Sequence, residues 1–263
     1  NALKRYKSAI FFSATMTPKV YFQQILGCDK NAAHLILPSP FPAQNLRLLI
    51  ADGISTLYRQ RENTKYRISR TIRTLVKQKK GNYLVFFPSY DYLQMVYDVY
   101  VSDSPDSDQV RQTPAMRESQ RIDFLQLFQQ DNPRSLVGFA VMGGIFGEGI
   151  DLVGERLSGA IIVGVGLPGI SLERELIREY FAETVNAGFE FAYQYPGINR
   201  VLQAAGRVIR SETDRGVVLL IDRRYATTRY RSLLLQQWST IRVRHDSWLI
   251  EELQNFWEGK SKA

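Results

Sequence analysis

One cysteine, Cys28, stands among 263 residues. It excludes an internal disulfide and any cysteine-cluster metal site. Histidine is nearly as scarce, and His34 and His245 lie far apart in sequence, which speaks against a His-based zinc site. No apolar run reaches the ~18 residues of a membrane span, and no signal peptide is read at the start. The sequence has no Gly-x-x-x-x-Gly-Lys-Ser/Thr loop. Gly259-Lys260-Ser261 matches only the end of one, with Gln254 where the first glycine belongs. No Asp-Glu-x-His box is present either. Acidic residues are in deficit, 26 Asp and Glu against 34 Lys and Arg, for a net charge of +8. These absences predict a soluble domain in a reducing, cytoplasmic setting that has no phosphate loop of its own.

What is present supports a full core. Apolar residues make up 44% and aromatics 12%, enough for one large or two small domains. Near-continuous apolar runs predict strands at Ala9–Ser13, Leu46–Ile50, Tyr83–Phe87, Leu136–Met142, Ala160–Val165 and Val217–Ile221. Helical spacing predicts helices near 18–26, 64–79, 90–100, 117–129, 172–187, 198–210 and 246–257. Apolar strands separated by helices indicate an α/β fold with a parallel sheet covered on both faces. Ser102–Asp108 reads as a polar surface loop, and Glu258–Ala263 as a frayed tail.

The positive charge is clustered. Residues 59–80 hold nine Lys or Arg and one acid, Glu62. Ile68, Ile72, Leu75 and Val76 share the buried face expected there, and Arg70, Arg73 and Lys77 point outward. Residues 200–245 hold ten arginines and no lysine, a bias that favours bidentate phosphate contacts. Charge of this kind points to a polyanionic partner, against the alternative of a generic basic surface.

Four segments carry candidate chemistry. In Gln203-Ala-Ala-Gly-Arg-Val-Ile-Arg210, a helix would put Gln203, Arg207 and Arg210 in one stripe and Val201, Ala205, Val208 and Ile209 on the core side. Gly206 costs that helix about 1 kcal/mol against Ala, so close approach of a ligand or second backbone is expected at it. Guanidinium forks match phosphate oxygens; the alternative is a solvated polar face. Gly143-Gly-Ile-Phe-Gly-Glu-Gly-Ile-Asp151 follows a strand, and its glycines permit positive φ beside the carboxylates Glu148 and Asp151. It suits a nucleotide or a partner's arginine, or else is a tight turn with solvated acids. Pro88-Ser89-Tyr90 ends another strand and offers a hydroxyl and a stacking ring, or a helix N-cap. Ser13-Ala14-Thr15 ends the first predicted strand, and Thr17 before Pro18 reads as an N-cap.

Together these segments resemble the second RecA-like motor domain of superfamily 2 helicases, in the XPD/DinG-like branch. Ser13-Ala14-Thr15 resembles the Ser-Ala-Thr motif, Gly81–Tyr90 motif IV, Gly143–Asp151 motif V and Gln203–Arg210 motif VI, over nearly all of residues 8–235. The resemblance implies a RecA-like domain over 1–240 with a C-terminal helix and tail at 241–263, and half of an ATP site. The missing phosphate loop and Asp-Glu-x-His box belong to a first motor domain upstream, as does any iron–sulfur cluster. It further implies that Arg207 and Arg210, with Gln203, act at the γ-phosphate of ATP·Mg2+. Gly147, Glu148, Gly149, Asp151 and Gly206 are expected to line the nucleotide. Ser13, Thr15, Ser89 and Tyr90 are expected on single-stranded DNA, with Arg70, Arg73 and Lys77 on its phosphates and movement 5′ to 3′. Implied partners are DNA and the first motor domain, in the cytoplasm or on a bacterial nucleoid. The alternative is a non-catalytic nucleic-acid-binding or protein-interaction module on the same fold.

Overall fold

The computed structural model describes residues 5–29, 31–103, 105–144, 146, 152, 154–235 and 237–260. Among these, seven strands form one parallel sheet: β1 (Leu46–Ala51), β2 (Asn82–Phe87), β3 (Asp108–Arg111), β4 (Leu136–Val141), β5 (Gly159–Val163), β6 (Gly216–Ile221) and β7 (Thr240–Arg242). Their order is β3-β4-β2-β5-β6-β1-β7. Register runs Leu46 against Gly216, Tyr83 against Val137 and Gly159, and Leu48 against Thr240.

Apart from Arg47 and Asn82, the five central strands are built of apolar and aromatic residues, because both faces of the sheet are covered. Side chains alternate between two cores. Tyr83, Val85 and Phe87 face α2 (Arg61–Val76), α3 (Tyr90–Ser102) and α8 (Asp246–Trp257). Leu84 and Phe86 face α4 (Glu118–Gln126), α6 (Tyr195–Ala205) and α7 (Thr228–Arg231). Ile68, Ile72, Leu75 and Val76 are buried as their spacing predicts. Two helices stay off the sheet. α5 (Leu172–Val185) ends on the left-handed Asn186 and sends Phe181 to stack on Phe191, ring centroids 4.0 Å apart. α1 (Lys19–Ile25) sets Tyr21 against Phe191 and Tyr195.

Four expectations need correction. Residues 9–13 form no strand; Ile10 and Phe12 are 86% and 91% exposed. An apolar run favours extended backbone, but a strand exists only where a neighbour supplies the ladder. Thr17 does not cap α1. Pro18 is the N-cap, with extended backbone and no side-chain hydrogen bond. The helix expected over 198–210 begins earlier, behind a π-turn at Glu190–Gln194, and stops at Ala205. Finally, β3 and β7 went unforeseen. Both are short, polar edge strands, which a search for apolar runs passes over.

Candidate nucleotide and nucleic-acid interface

Because every strand is parallel, one edge of the sheet collects all the carboxyl ends, where α/β ligand sites lie. The opposite, amino edge collects the loops that enter the strands. The predicted site residues divide between the two.

At the carboxyl edge, β2 runs into Pro88-Ser89-Tyr90. Ser89 is the N-cap of α3, its Oγ accepting from the Tyr92 N–H at 3.4 Å. Tyr90 is half-buried, and its hydroxyl accepts from Gln112 Nε2 at 2.9 Å. Gln112, just beyond β3, also accepts the Val141 N–H at 2.9 Å. One amide thus ties the motif IV turn to the end of β4, where the glycine-rich segment begins. Gly143 has φ +70°, and a Cβ there would lie 2.7 Å from Nε of Arg200 in α6. Gly147, Glu148, Gly149 and Asp151 lie outside the described residues.

Next to these, β6 runs into Asp222, which is fully buried. Its carboxylate accepts from the Thr56 N–H at 3.3 Å, from the Thr56 hydroxyl, and from Arg224 N, Nε and Nη2 at 2.7, 2.8 and 3.0 Å. A buried charge needs this many donors. The cluster locks the loop after β1 to the loop after β6. Arg61 donates to the Thr56 carbonyl at 3.4 Å and lies over the Tyr92 ring at 4.3 Å. Burial pushes the Tyr92 phenol up to about 12. Sequence reading missed Thr56, Arg61, Gln112, Asp222 and Arg224. The only signal was the run of hydroxyl, acid and arginine residues just past apolar strands.

The motif VI residues sit elsewhere. α6 ends at Ala205, and residues 206–215 form the loop entering β6 at the amino edge. Gln203 is on the last turn of the helix, whereas Arg207 and Arg210 are on that loop, so no single helical stripe joins them. All three are half-buried. Val201, Ala205, Val208 and Ile209 are buried as expected. Gly206 serves as the helix end. A Cβ there would meet only the Leu202 and Gln203 carbonyls of its own last turn, at 3.2 and 3.7 Å, and no second backbone.

Asp214, also missed, shapes the arginine loop. It is 4% exposed and accepts from Arg210 N at 2.7 Å, Ser211 N at 2.9 Å, Ser211 Oγ at 2.7 Å and Gly154 N at 3.1 Å. Gly154 closes the segment that leaves β4 at Gly143. The stretch between β4 and β5 therefore leaves the carboxyl edge at Gly143, beside α6, and Gly154, at the amino edge, is bonded to the motif VI loop.

The remaining predicted residues are less concentrated. Ser13 and Thr15 hydrogen-bond within their own turn, at 3.2 and 3.4 Å, in an exposed segment. Arg70 pairs with Asp246 at 2.8 Å and Arg73 with Asp103 at 2.6 Å, and Lys77 is exposed. α2 leaves β1 at the carboxyl edge and descends, so these three lie on its lower half. Among the described residues no three His, Cys, Asp or Glu side chains converge on a metal-sized site.

A helicase C-terminal domain family model matches residues 72–241. A Methanocaldococcus jannaschii protein described as a probable ATP-dependent helicase is 28% identical over 211 residues, covering 76% of this chain and 32% of that protein. The ATP-dependent DNA helicase XPD of Sulfolobus acidocaldarius is 24% identical over 237 residues, covering 86% of this chain and 41% of its own length. A solved XPD helicase superposes with a TM-score of 0.69 at 20% identity, over 88% of this chain and 42% of that one. The chain thus spans well under half the length of these relatives, and the fold is the RecA-like one they share.

Proposed function

The chain belongs to the helicase C-terminal domain family, and from that premise we propose that it is the second motor domain of an XPD-type, ATP-dependent DNA helicase. It completes an ATP site opposite a first motor domain and holds single-stranded DNA at the carboxyl edge of its sheet, in an enzyme moving 5′ to 3′.

The observation that carries this reading is the pair of links made by the segment between β4 and β5. One end joins the Ser89–Tyr90 turn through Gln112, and the other joins the Arg210 loop through Asp214. A DNA-contacting edge and a phosphate-facing loop are thereby connected by one stretch of chain.

Charge supplies the chemistry. During γ-phosphoryl transfer, negative charge spreads over the phosphate oxygens, and a positioned guanidinium stabilises it. Arg210, and beside it Arg207, provide that charge, with Gln203 at the γ-phosphate or attacking water. Asp214 acts through Arg210, as a positioning residue. Gly147, Glu148, Gly149 and Asp151 line the nucleotide, with Gly206 letting the chain leave α6 toward it. Ser89 and Tyr90 touch the DNA strand, with Ser13 and Thr15 at the junction with the first motor domain. Arg70, Arg73 and Lys77 contribute mainly as a positive field, since two of them already hold carboxylates.

The test is DNA-stimulated ATP hydrolysis by the protein carrying both motor domains. Arg210→Ala should lower turnover steeply while DNA affinity without nucleotide persists. Normal turnover in a well-folded variant would overturn the arginine assignment.

A further inference from the structure

The loop after β1 carries a feature that none of the four motifs uses. Tyr58, in a 3-10 turn (Tyr58–Gln60), is 83% exposed. The Arg61 guanidinium lies over its ring at 5.3 Å and over the buried Tyr92 ring at 4.3 Å. Tyr58, Arg61 and Tyr92 thus form a stack anchored in the core, with the outer ring open to solvent. Tyr92 lies in the first turn of α3, capped by Ser89, so the stack adjoins the proposed DNA-contacting turn.

The same loops carry further arginines; of the exposed acids on the adjoining helices, Glu62 is paired with Lys65 at 2.6 Å and Asp91 acts on Arg61. Arg59, Arg67 and Arg223 are exposed and make no ion pair with any described residue. Arg223 lines an open cleft with Ser55, Gln60, Asn63 and Thr64, polar groups suited to phosphate oxygens. Asp52 also borders this cleft, but its carboxylate is 2% exposed and ion-paired to Arg242 and Arg244.

The loop is fixed in advance. Arg67 donates to the Gly53 carbonyl at 2.8 Å, the Arg223 N–H donates to the Ile54 carbonyl at 2.9 Å, and Asp222 holds Thr56. Binding here needs little ordering of the loop, which favours affinity.

We infer that Tyr58 is a base-stacking platform for single-stranded nucleic acid, with Arg59 and Arg223 taking the flanking phosphates. An exposed ring beside unpaired guanidinium groups matches the alternation of π-face and phosphate in a single strand. A duplex hides its base faces, and an acidic peptide has none. The site extends the strand-binding edge proposed above and rests on that reading.

Fluorescence anisotropy of this chain with labelled oligothymidylate tests it, alongside blunt duplex DNA and polyglutamate. Tyr58→Ala should weaken single-strand binding by about 5- to 150-fold, the range for losing one stacked base. Tyr58→Trp should restore it, and the melting temperature and duplex affinity should stay unchanged. Arg223→Ala should lower the salt slope by about 0.7, whereas Tyr58→Ala should leave the slope alone. Wild-type binding that Tyr58→Ala does not change overturns this site and leaves the wider reading standing. Polyglutamate competing as well as DNA, equally in wild type and Tyr58→Ala, assigns the surface to an acidic protein and also overturns it. No single-strand binding by the wild type removes both.

Discussion

Arg210→Ala, in the protein that carries both motor domains, is expected to cut ATP turnover on the order of 10³-fold, the low end for a lost arginine finger. Arg210 is half-buried on its loop, so the finger assignment requires the loss of turnover to exceed whatever loss of stability the same variant shows. Asp214 is different in kind. Its buried carboxylate accepts from two loop N–H groups, the Ser211 hydroxyl and the Gly154 N–H. Asp214→Ala should cost at least about 2 kcal/mol, because buried donors lose their acceptor, and should lower turnover by releasing Arg210. Chemical denaturation and ATPase rate on the same variants separate the two roles. Buried tyrosines set a pH dependence. Burial raises Tyr92 from 10.0 to about 12 and Tyr225 well above its ordinary value. Unfolded tyrosine ionises near 10, so above that pH the folded state holds more protons than the unfolded one. Stability from these groups is complete below pH about 10 and is lost as pH rises through the folded values, on the order of 2–3 kcal/mol for Tyr92. Melting temperatures should therefore be flat between neutral pH and about 9 and fall beyond 10.

Ser89 ends one strand and starts one helix, and its two roles can be pulled apart. Ser89→Ala removes the α3 cap at a cost of about 1 kcal/mol. Ser89→Asp keeps a good cap but places a negative charge at the proposed strand contact. It should melt like the wild type and bind oligothymidylate more weakly; unchanged binding would confine Ser89 to capping. The entry to α6 depends on a different pair. Gly166, at φ +70°, and Gly197 cross so closely that a Cβ on Gly197 would lie 2.8 Å from the Val165 carbonyl oxygen, and one on Gly166 2.4 Å from that of Gly197. Gly197→Ala should destabilise by about 1–3 kcal/mol, as overpacking of a tight contact does, measured by urea denaturation. Sequence reading found part of α6 and missed the rest. The buried positions Val201 and Ala205 in the helix, and Val208 and Ile209 in the loop that follows it, were legible. The end of the helix was not, because Gly206 and the pull of Asp214 on Arg210 and Ser211 override the 3.6-residue pattern.

As a whole, the chain presents a basic sheet edge and an arginine loop but no phosphate loop. Purified alone, it is expected to turn over no ATP above background, since the described residues converge on no Mg2+ cage and the sequence has no β,γ-phosphate cradle. Robust magnesium-dependent hydrolysis by this chain would overturn its assignment to half of an ATP site. It should still bind single strands in a salt-dependent way, each phosphate contact adding roughly 0.7 to the slope. A flat response between low and high salt would detach the +8 charge from nucleic acid.

Sequence alone determined the α/β class, the five central strands, the buried face of α2 and the order of the motifs. Each is written in local periodicity or composition, and covering a parallel sheet on both faces makes its central strands near-continuously apolar. Tertiary structure alone decided the rest. Residues 9–13 have a strand's composition but no neighbour to pair with. The polar runs Asp108–Arg111 and Thr240–Arg242 become strands because a sheet edge supplies their ladders. Asp214, Asp222, Gln112 and Tyr58 take their roles from partners dozens of residues away, or from solvent left open beside them. Hydrogen bonds of that reach arise only when strand order brings distant loops to one edge, and a single run of residues carries no record of it.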